Sequence, residues 1–307
     1  MQPIALRSAT VDFSIKPGSG LRQAAHQAAD QGVQLEVERF VLLGRLLRRS
    51  ATIKAGSYEV YAGITPLGLL DKLTAGDVTQ SSVTFIEGWT FRQVRETLDS
   101  SPDLLHDTRA LGDAEIMVKI GATGEYPEGR FFPDTYLFAK GSSDVAVLRR
   151  AYRDMQKNLG NAWEARDQKA PYATPYEALI MASIVEKETG QSSERGMVAG
   201  VFVNRLRLGM LLQTDPTVIY GLGEKFDGNL RKRDLLKDTP YNTYTRAGLP
   251  PTPIAMPGLS SLLAATSPAP TRMLYFVSRG DGTSEFSRTL AEHNRAVQKY
   301  QLTGQRR

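Results

Sequence analysis

Both ends of one helix can be read directly from the chain between Thr174 and Gly190. Thr174-Pro175 offers a capping hydroxyl and then a proline at the first helical position, where a missing N–H removes no hydrogen bond. Gly190 stops it. At about 100° per residue, Met181, Ile184 and Val185 form an apolar face flanked by Leu179 and Ile180, and that face needs a hydrophobic core to cover it. Glu188 falls at the centre of the same face, one turn beyond Ile184 and two beyond Met181. Glu186 falls on nearly the opposite side. A carboxyl on an apolar face loses hydration, which raises its pKa. The negative end of the helix dipole acts in the same direction. An acid that keeps its proton near neutral pH is what general acid catalysis requires. The competing reading takes Glu186-Lys187-Glu188 as a surface charge cluster at a frayed helix end.

Several other chemistries are excluded. The 307 residues contain no cysteine, so disulfides, cysteine zinc sites, iron–sulfur clusters and thiol catalysis are absent together. His26, His106 and His293 are scattered and make no metal pattern, and His293 reads as a surface or interface residue of the last helix. There is no G-x-S-x-G elbow, no P-loop and no dinucleotide fingerprint. No metal and no cofactor is expected. Carboxylate acid–base work remains. The net charge of +5 comes from dispersed basic residues, which argues against a nucleic-acid partner. No run of 18 apolar residues exists, so a membrane is met only through an anchor lying outside this chain.

The length suggests about two domains. The expected fold class is α+β: a small N-terminal module over residues 1–80, then a larger mixed α/β catalytic domain over 81–307 with a substrate cleft. Val11–Ile15 alternates as a strand, Leu21–Ala29 and Glu36–Leu47 read as helices, and Thr52–Tyr61 as a strand or hairpin. Thr65-Pro66 starts a helix that ends at Gly76. Val83–Ile86 and a helix from Phe91 to Leu98 repeat the strand, Gly-turn, helix order, so 83–98 is a possible second small module. Further helices are expected over 144–160, after Pro175, and from a cap at Ser192 or Ser193 to Arg207. A hairpin is expected at 274–287 and a last helix over 290–300, before a frayed 305–307 end. The stretch Leu212–Pro257 is rich in Thr, Asn, Asp, Tyr, Pro and Gly. A polar segment of that length inside a domain is usually functional.

Several ordered motifs resemble one family. Ala182-Ser183-Ile184-Val185-Glu186-Lys187-Glu188-Thr189, then Ser193-Glu194-Arg195 and Val201-Phe202-Val203-Asn204-Arg205-Leu206, are similar to the endolytic murein transglycosylases, the YceG-like family. So are Pro127–Tyr136, Leu212–Gly221, Tyr241–Tyr244 and Gly248–Pro251 with Pro253-Ile254. The resemblance spans nearly the whole chain. It implies that Glu188, the second Glu of the Glu-Lys-Glu, is the catalytic acid. It also implies that residues 11–61 form a LysM-like module, and that an N-terminal anchor absent from this sequence holds the enzyme to the bacterial inner membrane, facing the periplasm or outer surface.

The implied reaction is non-hydrolytic cleavage of the β-1,4 bond after N-acetylmuramic acid, giving 1,6-anhydro ends and ending growth of nascent strands. Gln213, Thr214, Asp215, Tyr241, Asn242, Tyr244 and Glu128 are candidate substrate-binding groups, since amides, hydroxyls and tyrosine rings suit sugar faces and N-acetyl groups. For each, local turn chemistry is the alternative. Asp134 beside Pro133 reads as a turn residue. The partners implied are peptidoglycan glycan strands and possibly peptidoglycan synthases. Two other functions compete: a hydrolytic muramidase with Asp215 or Glu128 activating water, and a non-catalytic wall-binding protein.

Overall fold

A computed structural model describes residues 2–78 and 80–302, with backbone only at Leu302, so the expected frayed end at 305–307 lies outside the described residues. The chain is mixed α and β, and its strands pair two by two rather than in one large sheet. It divides into two compact units.

The first unit comprises residues 1–83, 101–106 and 136–144, so it is not one run of sequence. β1 (Ala5–Leu6) pairs with β3 (Val33–Gln34), and β2 (Thr10–Ile15) pairs antiparallel with β4 (Gly56–Tyr61) in the register Val11↔Val60, Phe13↔Tyr58. The alternation in β2 works as written: Val11, Phe13 and Ile15 are buried and their neighbours exposed. Phe13 stacks on Tyr58 with ring centroids 5.6 Å apart. α1 (Leu21–Asp30) buries Ala24, Ala25 and Ala28 against this pair, and α2 (Val37–Leu46) adds Phe40 and Val41. A Cβ on Gly44 would lie 2.4 Å from a Leu21 methyl, so glycine is what lets α1 and α2 approach. In α3 (Pro66–Ala75) the Thr65 side chain accepts from Gly68 N–H at 3.1 Å, and left-handed Gly76 closes the helix. β5 (Gln80–Thr84) pairs with β7 (Thr135–Ala139), and β6 (Leu104–Leu105) runs parallel to β8 (Ser142–Ser143).

The second unit comprises residues 84–100, 107–135 and 145–307. It begins with α4 (Phe91–Ser100), α5 (Asp113–Ile120) and the long α6 (Asp144–Glu164). Its centre is α7 (Pro175–Glu188), capped by Thr174 as expected. The expectation of an amphipathic α7 fails: every residue from Ala178 to Val185 is buried. α6 and α8 (Arg195–Arg207) contribute to the core that encloses it. A helix sheathed on all sides needs no polar stripe. Neither Ser192 nor Ser193 caps α8. They form a 3₁₀ turn, Ser192–Glu194, and Glu194 instead accepts from Ser284 N–H at 2.9 Å. The polar stretch holds α9 (Asp215–Leu222) and α10 (Lys232–Leu236), and buries Thr214, Thr217, Asn242 and Thr243. α11 (Leu259–Thr266), the hairpin β9 (Tyr275–Ser278) and β10 (Ser284–Ser287), and α12 (Leu290–Val297) complete the unit. Among the described residues no helix is long and apolar enough to cross a membrane.

Candidate active site

α7 leaves the core at its C-terminus, and its last residue, Glu188, is half-buried at the wall of a groove of about 560 Å³. Gln213, Asp215 and Tyr244 line the same groove, as do Arg205, Tyr275 and His293. Burial pushes the Glu188 carboxyl up to about 7 from an ordinary 4.5, helped by the nearby charge of Asp215 and opposed by Thr214 and Arg205. The proton is therefore half-retained near neutrality.

The partner that meets Glu188 directly is Thr214, whose Oγ1 donates to Oε1. Thr214 is aimed by a buried threonine cluster. Its N–H donates to Thr243 Oγ1 at 3.1 Å, and Thr217 Oγ1 lies 2.8 Å from its carbonyl and 2.9 Å from Thr243 Oγ1. Gln213 sits in the left-handed region at φ 52°, which costs a side-chain-bearing residue about 1 kcal/mol or more and turns the chain into α9. Asp215 opens α9 and accepts a hydrogen bond from the Tyr244 hydroxyl. Arg205 projects from α8 and is held by the carbonyls of Leu274 and Leu212 at 2.7 and 2.8 Å, with its guanidinium 5.0 Å from the Tyr275 ring.

Glu186, two residues before Glu188, has a different task. Its side chain is 5% exposed, meets Arg195 at 2.9 Å and accepts from Gly258 N–H at 3.0 Å. The surface-cluster reading of Glu186-Lys187-Glu188 therefore fails. Glu186 is an internal ion pair, Lys187 donates to the Gly88 carbonyl, and Glu188 faces the groove.

The other predicted site residues separate. Glu128 and Tyr241 line a second, larger cleft of about 1060 Å³. Glu128 is almost fully buried. It accepts from Phe91 N–H at the start of α4 and from the Tyr220 hydroxyl, each at 3.0 Å, and burial pushes it too up to about 7. Asn242 reaches neither cleft: it is fully buried, with Nδ2 donating to the carbonyls of Leu235 and Lys237 at 3.0 and 2.7 Å and Oδ1 accepting from Tyr244 N–H. It staples the loop that carries Tyr241 and Tyr244, so a direct substrate contact is corrected to local turn chemistry. Asp134 Oδ1 accepts from Thr135 N–H at 2.7 Å, which fits its reading as a turn residue.

Residues 13–299 match the YceG-like family. The chain belongs to that family. Among curated relatives, a Bacillus subtilis (strain 168) protein named endolytic murein transglycosylase is 30% identical over 308 residues, covering 95% of this chain and 85% of its own. A protein of the same name from Streptococcus pneumoniae serotype 2 is 27% identical over 81% of this chain, which spans about half (51%) of that longer relative. A 2.6 Å crystal structure from Listeria monocytogenes, described as YceG-like, superposes with a TM-score of 0.59 at 28% identity, over 94% of this chain and 98% of that one.

Two groove residues of this YceG-like chain escape a sequence reading. Arg205 follows the apolar run Val201-Phe202-Val203 by two residues on the same helix, and a charged residue there is a signal that it has buried partners. His293, expected as a surface or interface residue, stacks on Tyr275 with centroids 5.2 Å apart and lines the groove. Burial and Arg205 hold its pKa below the usual imidazole range. Nothing local marks it, because Tyr275 arrives from the hairpin.

Proposed function

We propose that this chain cuts murein glycan strands internally as a lytic transglycosylase, with Glu188 as its single proton-transferring group. The observation that carries the reading is the Glu188 carboxyl, poised near neutrality at a groove walled by amide, hydroxyl and aromatic side chains. The relatives named endolytic murein transglycosylase support the substrate class. Glu188 gives its proton to the bridging oxygen as that oxygen's bond to C1 of N-acetylmuramic acid breaks. The 6-hydroxyl of the same sugar attacks C1, and its proton passes to ionised Glu188. The acid is thereby regenerated and a 1,6-anhydro end is left, with no water consumed. Ordinary glycosidases need a second carboxylate roughly 5–9 Å away. An internal hydroxyl removes that need through its high effective molarity. Thr214 and Arg205 favour the charged form of Glu188, so they support the half of the cycle in which it is a carboxylate.

A hydrolytic muramidase is the second reading, favoured by Asp215 in the same groove. Mass spectrometry of strands digested by the wild type and by Glu188→Gln separates the two. Anhydro ends that vanish in the variant support transglycosylation, and reducing ends support hydrolysis. Cleavage unchanged in Glu188→Gln refutes the site.

The first unit reads as a LysM-like glycan-holding module, supported by the order β2–α1–β3–α2–β4 and the antiparallel β2–β4 pair. The same reading makes the enzyme a terminator of nascent strands. It would be anchored at the cell membrane with the catalytic unit facing the wall, and would work beside peptidoglycan synthases.

A further inference from the structure

The second cleft is almost twice the volume of the groove at Glu188, yet the chemistry proposed above uses none of it. One wall is tyrosine. Tyr220 and Tyr241 meet edge to face with centroids 4.9 Å apart, and Tyr126, which hydrogen-bonds Tyr220, is 47% exposed. Ring faces of this kind suit the flat, C–H-rich faces of sugars. The buried floor is Glu128, fixed by Phe91 N–H and Tyr220.

The rim selects against charge. Arg92 is engaged by Glu224 at 3.0 Å and lies 3.8 Å from Glu96, Arg95 is engaged by Asp113 at 2.9 Å, and Asp99 is paired with Arg109 at 3.5 Å. Arg92, Arg95 and Arg109 are all engaged by carboxylates, which disfavours an anionic polymer such as a teichoic acid or nucleic acid and leaves hydrogen bonding and stacking to uncharged groups.

Position ties the two clefts together. α9 forms a wall of both: Asp215 at its N-terminus faces the Glu188 groove, and Ile219 and Tyr220 face the second. Five residues of helix span about 7.5 Å. The 241–244 loop does the same, with Tyr241 in one cleft and Tyr244 in the other.

We propose that the Tyr126–Tyr220–Tyr241 cleft is a remote saccharide subsite, which holds uncharged amino-sugar residues of the strand whose scissile bond lies at Glu188. This rests on the glycan-cleaving reading. Its consequence is a preference for long strands, with Tyr126 as a specificity residue.

The test uses glycan strands of defined lengths whose muramic acid carboxyls are capped as amides, so that the strands carry no charge. Cleavage is followed with the wild type, Tyr126→Ala and Tyr126→Phe. Binding is followed by calorimetry in a Glu188→Gln background with and without Tyr126→Ala. Losing one stacked ring should lower kcat/KM on long strands, and affinity for them, by about tenfold, leave the shortest cleavable fragments unchanged, and be rescued by Tyr126→Phe. Equal behaviour of Tyr126→Ala and wild type at every length overturns the subsite while leaving the catalytic reading intact. A loss equal at all lengths also overturns it. Should the wild type cleave nothing while Tyr126→Ala still weakens strand binding, the catalytic reading falls and the subsite stands. No binding by either protein sinks both.

Discussion

Replacing Glu188 by Gln should abolish cleavage and yet stabilise the folded protein at alkaline pH. Gln preserves the shape and can still accept from Thr214 Oγ1, so the substitution removes mainly the ionisable proton. In the wild type, the folded state holds that proton up to about 7, against 4.5 in the unfolded chain. The stability linked to it is fully present below about pH 4.5 and is lost as pH rises through about 7. Ionising the carboxyl in place costs about 3 kcal/mol more than in the unfolded chain, and partial exposure of the side chain reduces this to about 2 kcal/mol. Glu128 shows the same behaviour but is present in both proteins, so it cancels in the difference. Trp89 and Trp163 are the two tryptophans and both belong to the second unit, so their fluorescence reports on that unit alone. Urea unfolding from about pH 4.5 to 8 should give matching curves at the acid end. By about pH 8 the variant should be ahead by about 2 kcal/mol, or roughly 4–8 °C in Tm. A Glu188→Gln protein with the wild-type pH slope, or one less stable at pH near 8, would show that Glu188 is well hydrated and refute the argument.

The same carboxyl sets a pH limb for cleavage, since a general acid must be protonated: kcat/KM should fall as pH rises through about 7. Asp215→Asn removes a charge that raises the Glu188 pKa and should move that limb to lower pH, whereas Thr214→Val removes a bond to the ionised form and should move it higher. A hundredfold or greater loss in Asp215→Asn at the optimum would instead favour Asp215 as a hydrolytic base. Glu186→Ala leaves the buried Arg195 with only the longer Glu87 contact at 3.6 Å and should cost up to about 3 kcal/mol, seen as a lower urea midpoint. Gly200→Ala would normally favour a helix by up to about 1 kcal/mol. Here the new Cβ would sit 2.7 Å from a Thr271 methyl and 2.8 Å from the Ala269 carbonyl, so calorimetry should show a lower Tm.

Local elements were legible wherever the signal was short-range. Thr65-Pro66, Gly76 and Thr174-Pro175 mark helix ends through their own caps, and β2 announces its buried face by alternation. Ser192 and Ser193 misled because Glu194 is held by Ser284, 90 residues away in the hairpin. Glu188 was found on a helical stripe that the structure does not have: α7 is sheathed all round, and Glu188 meets the groove because the helix leaves the core there.

Residue chemistry was settled in the chain itself. Without a thiol or a clustered histidine, the proton transfer proposed at Glu188 falls to a carboxylate, and Leu212–Pro257 supplies the hydroxyls and amides near it. Folding alone assigned the acids their different tasks. Glu186, Glu188 and Glu128 carry the same group, yet one is neutralised by Arg195, one is desolvated beside a groove, and one lies buried under Tyr220. A carboxyl's pKa depends on the water it loses and the charges brought near it, and both are supplied by residues distant along the chain.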